Sequence, residues 1–157
     1  MITWVADSAL VALGFRDGRT GGMYDPSTYP DHGNGLFFVG IEDTGEVRVF
    51  ALDHATGAAL EVQRIDAVFD HVTALEFDID AGELWLLCDD RCEGRTAVLR
   101  VTEESGGSGG GSGSGVTGLF EVVTRHERPA DAANWNVEGL AVAPGSVCVA
   151  GVDTRSV

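Results

Sequence analysis

The chain has 157 residues, 44 % of them hydrophobic, enough for one packed domain and unlike a disordered chain. Its basic residues are ten arginines and no lysine, against 25 acidic residues, for a net charge of −15. Such a field repels phosphate backbones and anionic lipid, which makes nucleic acid and membrane surfaces poor partners and cations plausible ones. No run of eighteen apolar residues marks a transmembrane helix, and the residues after Met1 lack the basic start of a signal peptide.

Helical periodicity is hard to find along the chain. Short apolar runs, alternating or continuous, are broken by Gly, Asp and Asn, which is the signature of an all-β protein. In order, the strands are expected at Thr3–Ala6, Ala9–Phe15, Leu36–Ile41, Val47–Leu52, Glu61–Ala67 and Val72–Asp78. Further strands are expected at Glu83–Cys88, Ala97–Thr102, Leu119–His126, Val137–Ala143 and Val147–Ala150. Thr20 to Asn34, rich in Gly, Pro and Tyr, reads as a long connecting loop, and the Asp-His pairs at 31–32 and 53–54 as loop residues. The tetrads Asp43-Thr44-Gly45-Glu46 and Asp80-Ala81-Gly82-Glu83 carry turn chemistry.

A strand that ends in acid recurs. Leu84-Trp85-Leu86-Leu87-Cys88-Asp89-Asp90 is the sharpest copy, Leu36 to Asp43 the second, and Ile2 to Ser8 a weaker third. Each precedes another strand-like run, and such a repeat points to blade-sized units. Val72 to His126 reads as one four-stranded blade, and Leu36 to Ala67 supplies three strands of another. Val137–Ala143 begins a third blade, which the strands at the N-terminus are expected to complete. Trp4 and Trp85 occupy like places in the repeat and are expected in the core.

Residues 105–115, all Ser and Gly, have the composition of a flexible linker, either engineered or a natural low-complexity loop. Of three cysteines, Cys88 and Cys92 flank a tight acidic turn, where a disulfide would staple it in an oxidising compartment. Otherwise both are small strand residues. Cys148 is expected on the opposite face. Zinc is disfavoured, since two cysteines without His or Cys neighbours make half a site.

Several stretches together resemble the phytase-like, or "esterase-like activity of phytase", β-propellers of bacteria. They are Val72 to Asp78, Gly82-Glu83-Leu84-Trp85, Cys88 to Gly94, Ala97 to Val101 and, most specifically, Asn136-Val137-Glu138-Gly139-Leu140-Ala141. The resemblance implies a secreted or envelope location for the parent and a hydrolytic activity on phosphoesters or esters. It also implies a circularly permuted order, because the segment like Thr3 to Ser8 would follow one like Cys148 to Gly151. A six-bladed member needs about twice this length, so residues 1–157 are expected to form one half-propeller domain, and two copies a closed homodimeric ring.

In a propeller, the turns after second strands and the residues opening first strands gather on one face. That places Glu42, Asp43, Asp7, Asp89 and Asp90 with Asp70, His71, Asn136 and Glu138. Converging carboxylates need a cation or protons, and oxygen ligands suit Ca²⁺. The expected metal ligands are Glu138, Asn136, Asp89, Asp90, Glu42, Asp43 and Asp7. Glu138 and His71 are the catalytic candidates if catalysis exists. No nucleophile elbow, zinc-protease, Walker or dinucleotide motif is present. The leading expectation is a β-propeller scaffold or assembly module, engineered or permuted, that self-associates into a closed ring with an acidic face for a cation or small-molecule ligand. A calcium-dependent phosphoester or ester hydrolase is the alternative.

Overall fold

The structure is a computed structural model and describes residues 1–66, 68–101, 120–128, 135–143 and 146–153. These residues form an all-β fold of three antiparallel sheets with four, four and two strands. The first sheet is β1 (Ile2–Ala6), β2 (Gly35–Gly40), β3 (Val47–Leu52) and β4 (Ala59–Ile65), hydrogen-bonded in that order. The second is β5 (Ala74–Asp78), β6 (Glu83–Leu87), β7 (Thr96–Val101) and β8 (Phe120–His126), again in chain order. The third is β9 (Trp135–Ala143) with β10 (Ser146–Asp153). The first strands β1, β5 and β9 neighbour one another in that order.

Alternation explains how the sheets stack. Along β3, Val47, Val49 and Ala51 are buried while Arg48, Phe50 and Leu52 are half-buried, so one face of the first sheet turns to the core. Phe38 from that face meets Phe77 and Phe120 of the second sheet, and Phe15 joins from the β1–β2 connection. Ring centroids lie 5.7 to 6.1 Å apart, mostly edge-on or tilted, as aromatic quadrupoles prefer. The other face of the second sheet meets the third: Ala74 and Leu87 pack with Leu140 and Val149.

Turn chemistry fixes the connections. Asp53 accepts from the backbone N–H groups of Ala55 and Thr56, and Asp78 from those of Asp80 and Ala81, so these acids hold turns. Gly45 has φ 66°, and a Cβ there would lie 1.8 Å from the Phe69 carbonyl oxygen. Only glycine lets the β2–β3 turn lie against the segment that leads into β5.

The fold corrects three expectations. Ala9–Phe15 is not a strand: Asp7–Ala12 forms a helix, α1, with an acid in its first turn and Leu10 buried. The run Ala9-Leu10-Val11-Ala12-Leu13 is rich in Ala and Leu, the strongest helix formers, and one Val does not override them. β1 does not complete the third sheet. It pairs with β2, Ile2 opposite Val39 and Ala6 opposite Gly35, and makes the first sheet four-stranded. Trp4, on the first strand of its sheet and not the second, is 45 % exposed, whereas Trp85 is half-buried and stacks on His126. The linker at 105–115 lies outside the described residues.

The 28 residues between β1 and β2, expected as loop after position 20, are an ordered cover for one end of the sheets. Phe15 and Leu10 are fully buried, Asp17 is almost so, and Gln63 of β4 donates to the Arg16 carbonyl at 2.8 Å. This is the lower end, with the turns at 53–58 and 79–82. The turns at 41–46 and 88–95 and the 68–73 segment form the upper end. No helix of the described residues is long and apolar enough to cross a membrane.

Candidate functional site

The upper end gathers part of the expected acidic face. His71 leads into β5 and is 1 % exposed in its side chain. Glu42, from the turn after β2, places Oε1 3.2 Å from His71 Nε2, and Asp89, from the turn after β6, places Oδ2 at 3.3 Å. Neither oxygen lies in hydrogen-bonding alignment, so Nε2 is buried without a hydrogen-bond partner among the described residues. On the other side of the ring, Arg91 Nη1 is 3.0 Å from Nδ1. A guanidinium only donates, so Nδ1 accepts and the proton of the neutral ring sits on Nε2, facing the two carboxylates.

The loop that supplies Asp89 and Arg91 is closed by a disulfide between Cys88 and Cys92, one of the two states left open for this pair. Asp89 tightens the loop: its Oδ1 accepts from the Arg91 N–H, and its carbonyl from the N–H of Gly94. Cys148 is a free, exposed thiol on β10.

Asp43 is exposed on the same turn as Glu42, and Asp70 precedes His71. The side chains of Asp90, Asn136 and Glu138 lie outside the described part of the structure. Asp7 does not belong with this group. It follows a first strand, not a second, so the chain delivers it to the lower end. Among the described residues, no three His, Cys, Asp or Glu side chains are arranged to hold a metal ion. Glu42 and Asp89 fall short of the six to eight oxygens that calcium takes, and the proton on His71 Nε2 occupies the lone pair a metal would use.

The lower end holds a second polar network, within the segment expected as a connecting loop. Asp7 accepts from the Tyr24 hydroxyl at 2.8 Å and lies 2.9 Å from His32 Nε2. The Tyr29 hydroxyl donates to Asp17, whose other oxygen accepts from the backbone of Arg19 and Thr20. Burial, followed by the hydrogen bond to Asp7, holds the Tyr24 phenol well above its usual range. Burial and the bond to Asp17 push Tyr29 up to about 12. Beside this network, Tyr29, Asp31, His32, Asn34 and His54 help line a shallow cavity of about 660 Å³. The alternation of tyrosines and acids from Asp17 to His32 was the available signal. It was missed because such partners are set by a fold-back and not by periodicity.

Two polar groups thus stand at opposite ends of the sheets. The upper one is incompletely satisfied, and the lower one is tied by hydrogen bonds to the connection it stabilises. No family model matches the chain, and no curated protein or solved structure matches it.

Proposed function

We propose that the chain is a self-associating β-propeller module, half of a ring that a second copy completes. The observation that carries this reading is the succession of sheets: β1, β5 and β9 neighbour one another in chain order, as first strands of successive blades do around an axis. Among the described residues the third sheet has two strands, and its outer face and the outer face of the first sheet have no sheet packed on them. Two-fold assembly of three-sheet halves closes such a series at six.

In this reading the phytase-like propellers are the parent, secreted or envelope-located, and the permuted order and Gly/Ser segment mark an engineered descendant. The upper end, with Glu42, Asp43 and Asp89, is the cation-attracting face. Calcium enters at the level of the ring, where two copies bring every carboxylate twice. Sedimentation velocity in Ca²⁺ and in EDTA tests this. A species of two chains in Ca²⁺ that EDTA weakens supports both parts, and a dimer indifferent to EDTA removes the calcium. A single chain under both conditions overturns the reading.

The convergence of the Glu42 and Asp89 carboxylates favours one alternative, a metal-dependent phosphoester or ester hydrolase in which these oxygens, and not the protonated His71 Nε2, would meet the cation. Calcium-dependent turnover of a chromogenic ester or phosphate, abolished by Glu138→Gln, would establish it. The absence of turnover across several substrates would dismiss it.

A further inference from the structure

We infer that the two ends of the sheet series are complementary surfaces, the outer face of the first sheet in one copy receiving the outer face of the third sheet in another. The inference rests on the self-association proposed above and names the surfaces that carry it.

The first sheet buries one face against the second and leaves the other open. The register puts Trp4, Phe37 and Phe50 side by side across β1, β2 and β3, with Ile2 and Val39 in the next row of the same face. Ile2 is 63 % exposed and Trp4 45 %, and Phe37, Val39 and Phe50 are half-buried. The indole of Trp4 lies against Gly35, where a Cβ would come within 2.4 Å of it. The sheet thus presents a broad aromatic surface centred on its first strand, the composition of an interface core.

Charge selects the occupant. In a chain of net charge −15, a second copy can approach only where like charge is least. On the outer strands of this face Arg48 and Arg64 pair with Glu46 and Glu61, two cations against two anions, so the whole face is neutral.

The third sheet supplies the matching shape. Leu140 and Val149 point to the second sheet. By alternation, Gly139, Ala141, Ala143, Ser146, Cys148 and Ala150 point the other way, and all but the half-buried Gly139 are exposed. Among the described residues, small side chains make this face shallow and uncharged, able to accept bulky rings closely. Packing β1 of one copy beside β9 of the next repeats the step by which β1 meets β5 and β5 meets β9 within the chain. The contact is heterologous, and its closure into a ring depends on the rotation per sheet.

Cys148 is a natural reporter, since it is free and lies on this outer face of the third sheet. The experiment measures the rate of Cys148 alkylation by a maleimide in the full chain across protein concentrations, with light-scattering mass alongside. Alkylation at least tenfold slower in the dimer than in the dilute monomer is expected. Trp4→Glu and, independently, Ala141→Trp should restore the fast rate and the mass of one chain. A dimer whose Cys148 reacts at the monomer's rate, or that survives both substitutions, overturns the assignment of these faces while leaving self-association intact. A wild-type chain that never exceeds the mass of one copy overturns self-association itself.

Discussion

Arg91 donates through Nη1 to Nδ1 of His71 at 3.0 Å, and that single bond decides where the imidazole proton sits. The ring is almost wholly buried, with Glu42 and Asp89 on its other nitrogen. Long-range nitrogen–proton correlation spectra should therefore show His71 protonated at Nε2 and bare at Nδ1. Arg91→Ala should erase the preference. A wild-type ring protonated at Nδ1 would contradict this geometry and reopen His71 Nε2 as a metal ligand.

The Cys88–Cys92 disulfide encloses Asp89 and Arg91, so its loss loosens both partners of His71. The cross-linked residues are four apart in sequence, and loop-closure entropy for so short a loop gives about 2 kcal/mol of stabilisation. Cys92→Ser should lower the midpoint of thermal unfolding accordingly and broaden the His71 ring signals. Unchanged stability and ring signals would show that the backbone bonds of residues 88–95 hold the loop unaided.

Phe38 is fully buried where the two four-stranded sheets and the β1–β2 connection meet. Phe38→Ala removes contacts with Phe15, Phe77 and Phe120 together and should cost about 3–5 kcal/mol in chemical denaturation. A loss below about 1 kcal/mol would mean that the aromatic cluster does not join the sheets.

Alkaline stability should report the lower network. An unfolded tyrosine ionises near pH 10, whereas Tyr29 in the fold holds its proton to about 12 and Tyr24 beyond that. Above pH 10 the unfolded chain therefore binds fewer protons than the folded one, and stability falls as pH rises from 10 toward 12. Below pH 10 this contribution is fully present. Tyr29→Phe should flatten the alkaline slope, whatever it does to stability at neutral pH. An unaltered slope would place the alkaline sensitivity elsewhere.

The strands and their pairing order were largely legible because alternation and acid-Gly turns are local signals. Val47 to Leu52 and Ala74 to Asp78 alternate as a half-covered strand must. What failed was non-local. Nothing in Ile2–Ala6 says that it pairs with β2 across a 28-residue connection, and Ala9 to Leu13 fits a strand or a helix until its Ala and Leu content is weighed. The upper group was partly foreseen, since turns after second strands do bring Glu42 and Asp89 to His71. Asp7 was misplaced for the same reason that β1 was: its strand was numbered second when it is first. The pairing of Asp7 with His32 arises from a fold-back that carries no periodic trace.

Native mass spectrometry of the wild-type chain over a range of concentrations tests the central claim, closure of two copies into a ring. The account predicts one assembly of two chains and no longer species, because closure consumes both open faces. A single chain throughout would contradict it outright, and a ladder of three, four and more chains would show that the faces meet without closing.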